Sequence, residues 1–262
     1  AIKGMGGTHL ACDASKTEVV KKLKERAQRP QKPLAVMVKD LEMAEEMAKI
    51  SESEKESLKD IERPIVVVKE KEGSILSKEV SKDLHNVGIM LPYSGLHHLL
   101  FDHISFPLVM TSANISGKPM LVKNENIKRE LKDVADFMLL HNREIVARCD
   151  DSVVRYSGGK RRFIRRSRGW SPTPIELKLG DENILSLGAE FDNTITLYGN
   201  NKCYISQHIG DVENIETLNF LKETIEHLKN ITNISDFEKI ACDLHPDFMT
   251  TKLAEEISDN PI

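Results

Sequence analysis

The sequence predicts an α/β chain built as two units, and three observations carry that reading. Short β-branched runs alternate with segments of helical periodicity as far as about residue 170. Ser171-Pro172-Thr173-Pro174 then breaks the pattern, since these prolines fit neither a helix interior nor a central strand. Beyond the break, three short strands precede a helix, a strand and a second helix. The first unit is therefore placed at residues 1–178 and the second at 179–262.

In the first unit, Ser15-Lys16-Thr17-Glu18 has the form of a capping box. Val19, Val20 and Leu23 follow at helical spacing, and the helix is expected to end near Pro30. Pro33 to Val38 reads as a short strand. Asp40 can cap a helix with Leu41, Ala44, Met47 and Ala48 on one face. Ile65–Val68, Val87–Leu91 and Phe106–Thr111 are strand candidates, and Asn126–Asp136 reads as helix. Ile145 with Val146, Val153 with Val154, and Phe163 with Ile164 mark further strands, so a mixed sheet is expected.

In the second unit, Ile184–Leu187, Thr194–Tyr198 and Cys203–Gln207 read as strands, with Gly199-Asn200-Asn201 as a hairpin turn. A helix over roughly 213–229, a strand Lys239–Asp243 and a helix from about Pro246 complete the order. That β-β-β-α-β-α order is the opening of a ribonuclease-H/actin-like unit.

Composition supports two units with different electrostatic tasks. The 262 residues carry 37 Lys+Arg, 41 Asp+Glu and 40% hydrophobic residues, for a net charge of −4. Residues 1–178 hold 32 basic and 25 acidic side chains, or +7, and residues 179–262 hold 5 and 16, or −11. Aliphatic content excludes a disordered chain, and no apolar run approaches the ~20 residues of a membrane span. Cys12, Cys149, Cys203 and Cys242 lack C-x-x-C spacing, which points to buried thiols in a reducing cytoplasm. The chain opens Ala1-Ile2-Lys3-Gly4 without a secretory leader and closes on Asn260-Pro261-Ile262; we expect a piece of a longer protein.

Five segments can carry chemistry. In Lys3-Gly4-Met5-Gly6-Gly7-Thr8-His9, glycines let backbone N–H groups approach a phosphate and Lys3 adds a charge, although the same residues also suit a plain strand-to-helix turn. Arg26 to Pro33 places cations at a helix end, favourable there on structural grounds alone and suited to an anion. Thr111-Ser112-Ala113-Asn114-Ile115-Ser116-Gly117 puts small donors at the carboxyl end of a strand, where open α/β sheets bind ligands. Asp150-Asp151-Ser152-Val153-Val154-Arg155 leads into a stretch to Arg168 in which seven of fourteen residues are basic. That stretch suits RNA, a polyphosphate or a charged edge strand, and the two aspartates suit Mg²⁺ or pairing with the arginines. In the second unit, Gly188 to Thr194 forms a polar turn between strands, and Ser206 to Asp211 ends the third strand. His97-His98 point to different faces of a helix and make a poor metal pair, and His208 and His245 are isolated.

Taken in order, these motifs resemble the HypF family, the carbamoyltransferases of nickel–iron hydrogenase maturation. The resemblance runs through Lys-Gly-x-Gly-Gly-x-His-Leu-x-Cys-Asp-Ala at 3–14, Arg-Pro-x-Lys-Pro-Leu-Ala-Val-Met at 29–37 and Leu-Pro-Tyr-x-x-Leu-His-His-Leu-Leu at 91–100. It continues through Thr-Ser-Ala-Asn-x-Ser-Gly at 111–117, Asp-Asp-Ser-Val-Val-Arg at 150–155 and Arg-Arg-Ser-Arg-Gly at 165–169. Gly-Ala-Glu at 188–190, Ser-Gln-His-Ile-Gly-Asp at 206–211 and Cys-Asp-Leu-His-Pro-Asp at 242–247 extend it over essentially the whole chain.

The resemblance implies a YrdC-like twisted mixed sheet followed by the start of a Kae1-like domain. The family's acylphosphatase domain, paired C-x-x-C zinc modules and His-rich metal motif have no counterpart here. It also implies a chemistry: carbamate from carbamoyl phosphate reacts with ATP to give carbamoyl adenylate and pyrophosphate. The carbamoyl group then passes to the C-terminal cysteine of HypE. For that chemistry Lys3, Arg29 and Asn114 are the catalytic candidates, with Gly6, Gly7, His9, Lys32, Thr111, Ser112, Arg155 and Arg168 on ATP and carbamate; the family's Ser-x-Asn pair falls on Ser112 and Asn114. Gly188, Glu190, Asn193 and Thr194 are candidates for a second nucleotide site, and Asp150 and Asp151 for Mg²⁺ contacts. The family's Lys-x-Arg pair falls on Ala27-Gln28-Arg29, so its lysine is missing, with Lys3, Arg26 or Lys32 as substitutes; Asp192 stands where lysine is commoner.

Two other readings compete. A threonylcarbamoyl-adenylate synthase shares the YrdC fold, but its Pro-Thr-x-Thr-x-Tyr-Gly opening is replaced here by Lys3 to His9. A nucleic-acid module rests on the Arg155–Arg168 stretch alone, and the acidic second unit would repel a polyanion.

Overall fold

The structure, a computed structural model, describes residues 1–114, 117–259 and 261–262. Ile115 and Ser116 of the expected 111–117 motif, and Asn260, lie outside the described residues. The chain divides into two compact units, Ala1–Ser116 with Met120–Gly169, and Gly117–Pro119 with Trp170–Ile262. Residues 170–178 thus fall in the second unit, because Ile175–Glu176 pairs with the second sheet.

The first unit begins with a hairpin, β1 (Ile2–Lys3) and β2 (Thr8–Asp13), paired antiparallel through Lys3 and Thr8. Gly4 to Gly7 is thus a strand-to-strand turn, closed by Gly4 N–H donating to Gly7 O at 2.7 Å, and not a strand-to-helix turn. Helix α1 (Thr17–Arg26) starts after the expected cap. Ser15 does not cap it, because its hydroxyl donates to Asp13 Oδ1 at 2.6 Å. There follow β3 (Ala35–Met37), α2 (Leu41–Met47), β4 (Ala48–Lys49) and α3 (Glu52–Lys59). Asp40 caps α2 by accepting from Met43 N–H at 2.9 Å, and Ala44 and Met47 form its buried face.

Next come β5 (Ile65–Glu70), β6 (Asn86–Met90), α4 (Gly95–Phe101), β7 (Leu108–Ser112), α5 (Asn124–Glu130), β8 (Val153–Ser157) and β9 (Lys160–Arg165). α5 begins before Asn126 and stops at Glu130, short of the expected Asp136. Ile145 and Val146 form no strand: Ile145 is buried and Val146 is 83% exposed, so the pair reflects one anchor beside a loop residue. The described strands form one sheet in the order β1-β2-β7-β3-β6-β5-β8-β9, with β4 on β5. It is mixed: β3–β6 and β5–β8 are parallel and the other pairs antiparallel. Met37, Ile65, Met90, Phe101, Leu108 and Met110 form one apolar cluster against it.

The second unit contains β10 (Ile175–Glu176), β11 (Ile184–Ser186), β12 (Thr196–Gly199), β13 (Lys202–Ile205), α6 (Ile215–Thr232), β14 (Lys239–Ala241) and α7 (Met249–Ile257). Its sheet runs β10-β13-β12-β11-β14, and β11 and β14 are parallel across the α6 connection. Asn200 and Asn201 both have positive φ, 52° and 59°, which matches the twist of the β12–β13 hairpin. Leu185, Leu197, Leu221, Leu228 and Ile240 make its core.

Candidate active site

Alternation along the strands puts one row of the first sheet on a common face. Ala35 pairs with Gly88, Gly88 with Val67, and Val67 with Arg155. All four line a cavity of about 430 Å³, whose walls include His9, Lys32, Ser112, Asp150 and Arg165. Arg165 reaches this face through an irregular register. Arg162 pairs with Arg155, but past a bulge Arg165, rather than Ile164, pairs with Val153. That shift hides Arg165 from strand periodicity, so the sequence places it in the basic stretch but not among the site candidates.

One wall is ordered by Arg29. Gln28 at φ 55° and then Pro30 end the α1 segment and turn Arg29 into the fold. Arg29 is 7% exposed. Its Nη1 donates to Ser112 O at 3.0 Å and Thr111 Oγ1 at 3.4 Å. Its Nη2 donates to Asn114 O at 2.9 Å and to Asn114 Oδ1. Ser112 Oγ donates to the same Oδ1 at 3.0 Å. Burial lowers the Arg29 pKa, with Asp150 opposing. Thus Arg29, Thr111, Ser112 and Asn114 come together, with Thr111 and Ser112 on the cavity.

Lys32 also lines the cavity. Although the residue as a whole is exposed, its ammonium is pushed down to about 8 by desolvation and then by Arg29 and Arg165, with Asp150 opposing. Ala27, where the family lysine is missing, is buried at the α1 C-cap. Of the three substitutes, Lys32 is the one that reaches the cavity. Arg26 donates to Asp136 at 2.8 Å. Lys3 is 4% exposed, and its Nζ donates to Asn124 Oδ1, His141 O and Arg143 O at 2.9, 3.3 and 3.0 Å. Gly6 and Gly7 are equally engaged by the protein. A Cβ on Gly6 would lie 2.4 Å from Cys149 O, and one on Gly7 2.1 Å from Met120 Cε. The glycines of the hairpin are explained by this packing.

Beside the cavity lies a buried ionic cluster. Asp151 Oδ2 accepts from His9 Nε2 at 3.0 Å and Oδ1 accepts from Arg168 Nε at 2.8 Å. Arg168 also donates to Glu62 O and Arg63 O, and its guanidinium lies 3.6 Å from the Tyr93 ring centroid. Burial alone would raise the Asp151 pKa, but His9 and Arg168 outweigh it and hold the carboxyl well below its usual range. Tyr93 is pushed well above its ordinary value by burial, then by Asp151. His97 packs edge-on against Tyr93 at 4.5 Å and is fully buried; burial and then His9 pull its pKa down to about 4.

The basic stretch therefore divides. Arg155 and Arg165 line the cavity, Arg161 pairs with Asp60 at 2.6 Å, and Arg168 is held in the buried cluster. The residues do not fit a protein-held Mg²⁺. Both Asp151 oxygens are engaged, and no group of three or more His, Cys, Asp or Glu able to hold a metal occurs among the described residues. The four cysteines are free and half-buried.

In the second unit, Gly188 takes φ +67°, and a Cβ there would lie 2.8 Å from Thr194 O. Asn193 ties this turn by donating to Leu187 O at 2.8 Å and to Ala189 O. Glu190 Oε1 accepts from Met249 N–H at the start of α7, at 3.3 Å. Asp192 has φ 47°, a conformation aspartate adopts more readily than lysine, and its N–H donates to Asp211. Of these candidates, Gly188, Glu190 and Asn193 thus have identified roles in holding the loop.

Comparison with known proteins follows the same division. A family model described as "Telomere recombination", the Sua5/YciO/YrdC family, matches residues 1–167, and one described as the HypF Kae1-like domain matches residues 180–262. A probable carbamoyltransferase HypF of Methanocaldococcus jannaschii is 46% identical over 99% of the chain. The chain belongs to the HypF family. The crystal structure of T. kodakarensis HypF is 47% identical over 99% of the chain, with a TM-score of 0.95. Full-length HypF in a phosphate- and nucleotide-bound form matches at 41% identity and a TM-score of 0.94, again over 99% of the chain. The chain spans 34% of the M. jannaschii and T. kodakarensis HypF proteins and 41% of the full-length one. No helix among the described residues is long and apolar enough to cross a membrane.

Proposed function

We propose that the first unit is an adenylating centre that joins carbamate to the AMP moiety of ATP. A carbamate oxygen attacks the α-phosphorus, the bond from that phosphorus to the pyrophosphate oxygen breaks, and the electron pair leaves on pyrophosphate. No proton changes hands when carbamate enters as its anion. The negative charge that develops needs fixed cations and pre-aimed donors. The observation that carries this reading is the convergence of Lys32, Arg155, Arg165 and Ser112 on one cavity.

Within this reading, Lys32 supplies the cation lost at Ala27. Arg29 acts as a positioning residue, because its guanidinium is committed to Ser112 and Asn114. Holding a short-lived carbamate in line with ATP is chiefly positioning, which the hydrogen bonds tying Ser112 and Asn114 to Arg29 favour. Magnesium enters with ATP as the Mg–ATP complex. The second unit serves the later transfer of the carbamoyl group to the C-terminal cysteine of HypE, the whole family protein supplying carbamate from carbamoyl phosphate.

Oxygen-18 labelling tests the bond that forms. With carbamate labelled in its oxygens, AMP recovered after breakdown of the adenylate carries one labelled oxygen. Unlabelled AMP formed in step with carbamate turnover overturns the reading.

A further inference from the structure

Asp150 is out of keeping with the rest of its cavity. The walls bring three cations, Lys32, Arg155 and Arg165, to what an anionic ligand requires, yet Asp150 adds a carboxylate to the same wall. Its neighbour Asp151 is also a lining residue, but both of its oxygens are engaged by His9 and Arg168. Among the described residues, the Asp150 carboxylate accepts no hydrogen bond and forms no ion pair, while its charge acts on both Arg29 and Lys32. Its backbone is fixed, since Asp150 O accepts from Arg168 N–H at 3.0 Å. A carboxylate kept in an anion site asks for a hydrogen-bond donor or a cation. Among the described residues, no group of three or more His, Cys, Asp or Glu gathers there to hold a metal ion on its own.

We propose that Asp150 is a substrate-recognising residue that accepts a hydrogen bond from the amino group of carbamate. This rests on the adenylating reading given above. Carbamate is planar, with a carboxylate at one end and two N–H donors at the other. Lys32 and the arginines suit the first end and Asp150 the second. Such a pairing distinguishes carbamate from carboxylates that lack an N–H, because the latter leave the Asp150 acceptor unpaired on binding.

The test uses the 262-residue chain and measures pyrophosphate exchange into ATP with carbamate or acetate as acceptor. It compares the unaltered protein with Asp150→Ala and Asp150→Asn, each checked for an unchanged melting temperature. A charge-assisted hydrogen bond predicts that Asp150→Ala raises the KM for carbamate about tenfold or more. The KM for ATP and the Mg²⁺ dependence stay within about threefold, and the preference for carbamate over acetate narrows. Asp150→Asn falls between, since its amide oxygen still accepts. A rightward shift of the Mg²⁺ titration instead makes Asp150 a metal ligand and overturns the proposal. An unchanged or lower KM for carbamate, as expected from simple removal of repulsion, overturns it too. Failure of the unaltered protein to exchange with carbamate at all rejects the adenylating reading itself, a separate result.

Discussion

Arg29 and Asn114 are joined twice, through the Asn114 backbone carbonyl at 2.9 Å and through its side-chain oxygen. The guanidinium thereby ties Asn114 to the end of β7, where Ser112 lines the cavity. Arg29→Lys keeps the charge but loses the fork that spans both oxygens. We expect it to fold and to lose more than tenfold in exchange rate. Asn114→Ala, which frees Ser112 Oγ as well, is expected to lose at least as much. Pyrophosphate exchange with circular dichroism as the folding control checks both.

Lys32 predicts a pH dependence. Its ammonium titrates near 8, so it is a cation below that pH and neutral above it. ATP binding by the unaltered protein should weaken as pH rises from 7 to 9. Lys32→Arg, which stays charged throughout, should remove that loss. Isothermal titration calorimetry at the two pH values measures it.

Lys3 is assigned to stability. Its ammonium joins the start of the chain to Asn124, His141 and Arg143. Lys3→Met leaves those acceptors short of a donor, at a cost of roughly 1–3 kcal/mol. The melting temperature should fall by several degrees, about 2–4 °C per kcal/mol for a unit of this size. Exchange per folded molecule should be unchanged.

His97 gives the fold an acid sensitivity. Its folded pKa of about 4 lies below the ordinary value of 6.5, so the unfolded chain binds the extra proton first. The stability that depends on neutral His97 is full above about pH 6.5 and drains as pH falls towards 4, a loss on the order of 3 kcal/mol. Urea unfolding at pH 7 and pH 4.5 should show the decline, and His97→Phe should flatten it.

Much of the architecture could be read from local pattern. Asp40 ahead of Leu41, Ala44 and Met47 marks α2, the β-branched run at Ile65 marks β5, and Asn200-Asn201 marks the second-unit hairpin. These signals lie within a few residues of each other. What escaped depends on distant partners. Ser15 leaves its cap because Asp13 is a nearer acceptor. Lys3 looks like a free cation until residues over a hundred positions away bring it three acceptors. Asp151 pairs with Arg168, as the neighbouring arginines suggest, but its second partner, His9, lies 142 positions away and carries no local signal. Arg165 joins the cavity only through a register shift that no alternating pattern predicts.

The most direct test of the central claim is ATP–pyrophosphate exchange by this chain, using radiolabelled pyrophosphate and ammonium carbamate. Adenylation of carbamate predicts label entering ATP only when carbamate is present, with no stimulation by threonine. Exchange that requires threonine with bicarbonate, or no exchange from a folded chain that binds RNA in a salt-dependent way, would contradict it.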